Sequence, residues 1–247
     1  MINFKRKRRA YIMPILQMIR KILNILKKYA YPNYETPKSV YQIYVEDQNY
    51  QCFLHFKELL KSTLLLTTNK IRQHAIEEAM KNDISSEGYY LEFGVYSGTS
   101  IKFFSKYLKK NNIYGFDSFE GLKEHWFGTT VVKGTFDLKN KIPSLPKNVI
   151  PVAGWIQDTL QTFLNEKNPK INFVHIDVDT YETTKFILNL IKPRLVKGAT
   201  ILFDELYNFE GWDVGEYKAL TEIFNKNEYK FEAFAYDGRQ ALIRILN

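Results

Sequence analysis

Residues Tyr89 to Ser100 read YYLEFGVYSGTS, and they carry the most specific fold signal in the sequence. An apolar and aromatic run ends at the acid Glu92, Gly94 and Gly98 follow, and a helix-like segment begins directly afterwards. A strand that turns through glycines into a helix presents backbone N–H groups at a sheet edge, where a ligand approaches the main chain closely. A carboxylate would repel a phosphate there, so Glu92 favours a ligand with a cationic amine, such as the amino-acid end of S-adenosylmethionine (SAM). A tight turn with a purely structural role is the alternative.

Strand-like and helix-like segments alternate after this stretch, and the alternation predicts a parallel, doubly wound α/β sheet. The strand-like runs are Tyr89–Phe93, Ile113–Phe116, Val149–Ala153, Ile171–Ile176, Thr200–Phe203, Phe231–Tyr236 and Ala241–Leu246. The helix-like segments are Ile101–Lys109, Ile156–Leu164, Thr183–Ile191 and Gly215–Phe224. Asp237-Gly238 between the last two runs is a hairpin signal, so we expect the last strand to be antiparallel.

The basic residues are concentrated at the beginning of the chain. Nine of the 35 Lys and Arg residues lie within residues 1–30, which contain no acid, so residues 31–247 carry 26 basic and 27 acidic residues. The body is therefore close to neutral, and we expect no nucleic-acid partner. The single cysteine, Cys52, excludes an intrachain disulfide and fits the reducing cytoplasm, which is the predicted location.

Residues 1–30 combine the run KRKRR with apolar residues at helical spacing, which predicts a basic amphipathic extension. Arg20 and Lys21 interrupt the apolar pattern and argue against a membrane span of about 20 apolar residues. The extension would either lie peripherally on an anionic membrane surface or dock on the body or on a second subunit of a homo-oligomer. We expect residues 31–87 to form a linker and a helical cap.

In a doubly wound sheet, ligands bind beyond the carboxyl ends of the strands. Asp117 ends the second strand, and an acid at this position accepts hydrogen bonds from ribose hydroxyls; a helix cap is the alternative. Trp155 and Asp158 follow the third strand, where a flat aromatic ring and polar groups suit an adenine ring. A core role for Trp155 is the alternative.

Four acids follow the fourth and fifth strands. Asp177 and Asp179 lie in HIDVDTY, and Asp204-Glu205 ends ILFDE. If these strands are neighbours, four carboxylates converge at one edge, and a cation or a proton must relieve the crowding. Oxygen ligands favour a hard divalent ion, with Mg²⁺ the first choice. Acids that cap two helices are the alternative, but caps explain only one or two of the four.

Three other residues receive simpler interpretations. We expect Cys52 to be a packing residue of a helix, and His175, inside a strand-like run, to be a core histidine rather than a base. His125 lies in a loop-like region after the second strand, where it would line a pocket for an acceptor.

Together, the motifs YLEFGVYSG, GFDSFEGL, HIDVDTYETT and ILFDE, with the segment Gly154–Thr159, resemble the macrocin O-methyltransferase group, which are SAM- and Mg²⁺-dependent sugar O-methyltransferases. The resemblance spans roughly Lys70 to Leu246. It implies a Rossmann-like class I methyltransferase with N-terminal helices and a seven-stranded, mostly parallel sheet whose last strand is antiparallel, and it makes residues 88–247 the SAM-binding catalytic domain. The implied site residues are Asp177, Asp204 and Glu205 for Mg²⁺, Asp179 as general base, Glu92, Gly94 and Gly98 for the methionine part of SAM, and Asp117 and Ser118 for its ribose.

The chain departs from that group at two places. Asp204-Glu205 stands where two Asp residues are common, and FEGWDVGEYKAL lacks an Arg that is often found there in the antibiotic enzymes. The sequence therefore does not single out an antibiotic as the methyl acceptor. A surface glycan or another sugar conjugate fits it equally well.

Three other functions compete with a sugar methyltransferase. A nicotinamide-dependent oxidoreductase is weakened by Glu92, by the missing third glycine and by the carboxylate cluster. A catechol-type metal-dependent methyltransferase would use a planar diol. A non-catalytic SAM-fold interaction protein would not need the acidic set.

Overall fold

The computed structural model describes residues 18–19, 21–22 and 37–247. The chain divides into two compact units, residues 1–43 and residues 44–247, and the second contains the sheet. The predicted extension at residues 1–30 lies almost entirely outside the described residues, so its contact with a membrane or a partner stays a prediction. Among the described helices, none has the length and apolar character that a membrane span requires.

Helices and strands alternate through the described chain. The helices are α1 (Val40–Ser62), α2 (Thr68–Asn82), α3 (Thr99–Ser105), α4 (Ile156–Lys167), α5 (Tyr181–Ile191) and α6 (Glu216–Ile223), with a short 3₁₀ helix at Lys192–Arg194. The strands are β1 (Leu64–Leu66), β2 (Tyr89–Phe93), β3 (Ile113–Asp117), β4 (Val149–Ala153), β5 (Ile171–Ile176), β6 (Leu195–Phe203), β7 (Tyr229–Ala235) and β8 (Ala241–Ile245).

The strands form one sheet in the order β1-β7-β8-β6-β5-β2-β3-β4. Strand β8 is antiparallel to both of its neighbours, and the other pairs are parallel. The predicted Rossmann-like class I methyltransferase sheet, with its antiparallel last strand, is therefore confirmed. The sheet has eight strands rather than seven, because Leu64–Leu66 pairs with β7 at one edge. Three residues between two helices are too few to show a strand period in the sequence.

Helices cover both faces of the sheet, which explains why β5 is buried along its whole length. Apolar residues of α1, α4, α5 and α6 pack on one face, and those of α2 and α3 pack on the other. Cys52 is 3% exposed within the first of these layers, as expected of a packing residue. The faces are thus closed by helices, and ligands have access at the edge where the strands end.

Candidate active site

The carboxyl ends of β2, β3, β5 and β6 are level with one another. The backbone N–H of Gly94 donates to Phe116, that of Asp177 donates to Phe93, and that of Asp204 donates to Ile176, each at 2.9 Å. These bonds extend the parallel ladder by one residue beyond the strands. The glycine turn and the acids predicted after β5 and β6 therefore emerge side by side.

Asp117 holds the glycine turn that follows β2. Its Oδ2 accepts the backbone N–H groups of Val95 at 2.8 Å and Tyr96 at 2.7 Å, while Oδ1 accepts that of Phe119 at 2.7 Å. Gly94 has a φ of +87°, and a Cβ there would lie 1.6 Å from the carbonyl oxygen of Asp177. Only glycine therefore allows this turn to pack against the end of β5.

Glu92 lies beneath the turn and is fully buried. Its Oε1 accepts the hydroxyl of Ser100 at 2.8 Å, and its Oε2 lies 3.2 Å from Nδ1 of His175. Burial alone would lower the pKa of His175, but the carboxylates of Asp204 and Glu92 raise it to about 10, so the imidazole is charged at neutral pH. Glu92 is not part of the cavity wall described next, and a direct contact with SAM stays a prediction.

A cavity of about 440 Å³ opens at this edge of the sheet. Of the predicted donor-binding residues, four line it: Gly94, Asp117, Ser118 and Trp155. Trp155 forms part of the wall, and the ammonium of Lys123 lies 5.4 Å from the centre of its ring. Gly98 lies further along the turn and caps α3 with a φ of +80°.

Asp158 is exposed and lies outside the wall of this cavity, whereas its neighbour Gln157 lines it. Helix α4 begins at Ile156, and successive residues on a helix point about 100° apart. Gln157 and Asp158 therefore face different directions. The sequence indicates a segment that lines the cavity, but not which side chains of the helix face it.

Three of the predicted acids, Asp177, Asp179 and Glu205, also line the cavity. Carboxylate oxygens from these three residues lie within 4.8 Å of one another, and Asp177 forms a second such group with His175 and Asp204. Burial raises the pKa of Asp177, and the charge of Asp204 adds to this effect. The structure thus brings together all four acids, as expected from neighbouring strands β5 and β6.

Asp204 has one oxygen that is held from three sides. Its Oδ1 accepts hydrogen bonds from Arg72 at 3.0 Å, from Nε2 of His175 at 3.2 Å, and from Gln240. Burial would raise the pKa of Asp204, but the hydrogen bond and charge of His175 and the charge of Arg72 hold it well below its usual range. These donors fix the orientation of an ionised carboxylate. All three bonds go to Oδ1, and none of them occupies Oδ2.

Glu205 and Glu216 each have a buried carboxyl oxygen that no hydrogen bond satisfies within the described chain. The two atoms are Oε2 of Glu205 and Oε1 of Glu216. Burial and the charge of Asp204 raise the pKa of both residues well above the usual range. A set of oxygen donors with an unpartnered buried oxygen fits a hard divalent cation, because the cation would supply the missing partner.

Asp179 stands between the main cavity and a second cavity of about 280 Å³ and lines both of them. Its φ of 62° is in the left-handed region, which Asp tolerates better than most residues. Burial, together with the charge of Asp204, raises its pKa to about 7. The second cavity is also lined by His125, as expected, and by Trp126 and Tyr181.

Sequence reasoning missed several residues of this site. Arg72 and Gln240 hold Asp204, Gln157 and Arg239 line the main cavity, and Glu216 lies behind Glu205. Arg72 and Glu216 lie on helices and do not directly follow a parallel strand. Gln157 lies in the segment after β4, and Arg239 and Gln240 follow the Asp237-Gly238 turn, but these residue types form no distinctive pattern there. Glu216 has the appearance of an ordinary acid in the first turn of a helix.

Comparison with known proteins agrees with this geometry. Residues 91–206 match a family model described as a methyltransferase domain, and this range includes the glycine turn and all four acids. The match confirms the prediction of a methyltransferase. No curated protein sequence matches the chain.

Similar solved structures share the fold at low sequence identity. CalS11, a calicheamicin methyltransferase, superposes with a TM-score of 0.58 at 20% identity, over 85% of this chain and 94% of that one. An apo structure of CalS11, described as a TDP-rhamnose 3'-O-methyltransferase, gives 0.52 at 20% identity over 85% and 96%. The O-methyltransferase NovP gives 0.53 at 18% identity over 72% and 79%.

Proposed function

We propose that this protein is a SAM-dependent O-methyltransferase that uses Mg²⁺ and methylates a hydroxyl group of a sugar or glycoconjugate. The observation that carries the proposal is the position of Asp179 in the walls of both cavities. A methyl donor in the main cavity and an acceptor in the second would meet at this carboxylate. Reactants held in this way gain from proximity and orientation.

The walls of the main cavity support SAM as the donor. Trp155 offers a flat face for the adenine ring, and Ser118 lies in the same wall for the ribose. The turn at Gly94 brings the main chain close to the ligand, where the methionine part would lie. Asp117 supports this side of the cavity through the backbone of the turn.

Asp177, Asp204 and Glu205 would hold Mg²⁺, and the unpartnered oxygen of Glu205 supports that assignment. When bound, the ion would neutralise part of the acidic cluster and lower the pKa of an acceptor hydroxyl. Asp179 would then take the hydroxyl proton as the acceptor oxygen attacks the methyl group, the bond from the methyl carbon to the sulfur of SAM breaks, and S-adenosylhomocysteine leaves. The carboxylate of Asp179 lines both cavities, which suits a base that acts on an acceptor hydroxyl.

The second cavity supports a sugar as the acceptor. The rings of Trp126 and Tyr181 line it together with polar groups, a combination that accommodates the apolar faces and hydroxyls of a sugar. CalS11 is described as a methyltransferase of TDP-rhamnose, and we carry a sugar acceptor over to this chain as part of the proposal. Membership of the macrocin O-methyltransferase group belongs to the same proposal.

A methyl-transfer assay tests the proposal. The full chain is incubated with SAM, Mg²⁺ and three acceptor classes: TDP-rhamnose, neutral methyl glycosides and catechol. Mass spectrometry should show a methylated sugar, with transfer lost in excess EDTA and restored by Mg²⁺. Glu166→Gln, at an exposed position on α4, is the matched control for carboxylate removal and should retain full activity.

Three other results of these experiments would contradict different parts of the proposal. Transfer to catechol alone would favour the planar-diol enzyme. Full turnover after verified metal removal would remove Mg²⁺ from the proposal. Failure to bind SAM in calorimetry would contradict the proposal as a whole and favour a non-catalytic protein.

A further inference from the structure

Arg239 reaches the candidate active site from the hairpin between β7 and β8. Its backbone carbonyl accepts the N–H groups of Leu206 at 3.1 Å and Tyr207 at 3.3 Å, so the turn is attached to the segment that follows Asp204-Glu205. Because β8 is antiparallel, this strand begins at the edge where β5 and β6 end. Arg239 thereby enters the wall of the main cavity.

The guanidinium of Arg239 rests on aromatic rings, and its charge also acts on the carboxylate of Asp179. It lies 5.1 Å from the ring centre of Phe209 and 5.9 Å from that of Trp126. Within the described part of the chain, it makes no hydrogen bond or ion pair, although the carboxylates of Asp179 and Glu205 line the same cavity. A guanidinium stacked on rings keeps the N–H groups along its edge available for another partner.

The strand order decides which substrate this cation faces. The residues that suit SAM follow β2, β3 and β4, whereas the acids follow β5 and β6. Arg239 precedes β8, on the opposite side of the acids from the donor residues. The donor side has its own cation in the cavity wall, Lys123, which lies over Trp155. Arg239 lines the main cavity and not the second one. It therefore lies at the acid end of the main cavity, where an acceptor that enters from the second cavity would reach Asp179.

We propose that Arg239 binds an oxyanion of the acceptor, either a phosphate or a carboxylate, close to the hydroxyl that is methylated. The guanidinium donates two parallel N–H bonds to such a group, a geometry that both oxyanions match. The inference rests on the proposed function and narrows its acceptor to an anionic sugar, such as a sugar phosphate, a nucleotide sugar or a uronic acid. It also gives a hydrogen-bond partner to a guanidinium that has none among the residues that the structure describes.

The test is calorimetry on the full chain loaded with S-adenosylhomocysteine and Mg²⁺, with inorganic phosphate and acetate as separate probes. The wild-type protein should bind at least one of them, and Arg239→Met, which keeps an apolar side chain on the rings, should bind it about tenfold more weakly or worse. Arg239→Lys should fall between the two. Lys167→Met, at an exposed position at the end of α4, is the matched control and should leave oxyanion binding unchanged.

Several results would overturn the inference: no binding of either probe by the wild-type protein, equal binding by Arg239→Met, or loss of S-adenosylhomocysteine affinity in that variant, which would assign Arg239 to the donor. Failure of the wild-type protein to bind S-adenosylhomocysteine would instead contradict the proposed function.

A second experiment measures methyl transfer. Each sugar that the protein methylates is supplied as its neutral methyl glycoside, as its 1-phosphate and as its uronic acid. At least one charged form should have a kcat/KM about tenfold higher, or more, than the neutral methyl glycoside. In Arg239→Met, the kcat/KM values of the charged and neutral forms should be equal.

Discussion

Oε2 of Glu216 accepts the backbone N–H of Glu205 at 3.0 Å, so one buried acid fixes the main chain of another. Glu216 is fully buried at the start of α6, and Glu205 lies directly after Asp204. The position of Glu205 in the cavity wall therefore depends on a helix that follows the matched methyltransferase domain.

We expect Glu216→Ala to weaken divalent-metal binding by about 10- to 100-fold, the usual effect of losing a group that orients a ligand. Glu216→Gln keeps an oxygen acceptor for the N–H of Glu205 and should retain most of the affinity. Titration of Mn²⁺ followed by electron paramagnetic resonance measures both. Equal affinities for the alanine variant and the wild-type protein would show that Glu216 has no part in holding Glu205.

Asp179→Asn should lower kcat by about 10²- to 10⁴-fold, because it removes the proposed base. Asn tolerates the left-handed φ of 62° at this position, so the variant should fold and should bind SAM as the wild-type protein does. Single-turnover kinetics and calorimetry separate the two effects. A variant that transfers methyl groups at the normal rate would exclude Asp179 as the base.

Gln157 and Asp158 should differ in their effect on SAM. Gln157→Ala changes the wall of the main cavity and should weaken SAM binding by up to about tenfold, the magnitude of one hydrogen bond. Asp158→Asn alters an exposed residue and should leave the affinity unchanged. If calorimetry shows that Asp158→Asn weakens SAM binding and Gln157→Ala does not, SAM does not bind against the wall that contains Gln157.

The metal-free protein should lose stability as the pH rises. Folding raises the pKa of Asp179 from 3.8 to about 7 and that of His175 from 6.5 to about 10. A raised pKa stabilises the fold below the unfolded value, and this contribution is lost as the pH passes the folded value. The windows are therefore about pH 4 to 7 for Asp179 and about pH 6.5 to 10 for His175. Asp204 has a lowered pKa, so its contribution is already complete above its unfolded value of 3.8.

Thermal unfolding in EDTA tests this expectation, with a lower Tm at about pH 9 than at about pH 6. Mg²⁺ should raise the Tm more at the higher pH, because deprotonated acids bind the metal. Asp179→Asn should show a smaller change between about pH 5 and pH 7 than the wild-type protein. A Tm in EDTA that stays constant or increases with pH would contradict the assignment.

Most of the fold was predictable from the sequence because its signals are local and repeated. The buried run of β5, INFVHI, has the length and apolar character of a central strand, and Asp237-Gly238 indicates the antiparallel ending. Strand β1 was not predictable, since Leu64–Leu66 becomes a strand only by pairing with the distant β7. Tertiary pairing, rather than local preference, determines that element.

The acids of the site were predictable for a related reason. Parallel strands that are neighbours end at one edge, so Asp177 and Asp204 had to meet once the topology was correct. The partner of Glu92 was not predictable, because the imidazole of His175 reaches it across two adjacent strands. Arg72 contacts Asp204 from α2, more than a hundred residues earlier in the chain. No pattern in a single sequence reports such a contact.

The antiparallel β8 also keeps the proposed acceptor-binding residue, Arg239, on a different turn from the residues proposed to bind SAM. Acceptor selectivity and the use of SAM could therefore be engineered independently. The short turn at Asp237-Gly238 is anchored by its own hydrogen bonds from Thr68 to Asp237, at 2.6 and 2.9 Å, and it carries Arg239 into the cavity. The turns that we propose to bind the donor follow other strands. A turn of a few residues grafted from another methyltransferase would therefore exchange acceptor selectivity as a module, with the use of SAM left intact.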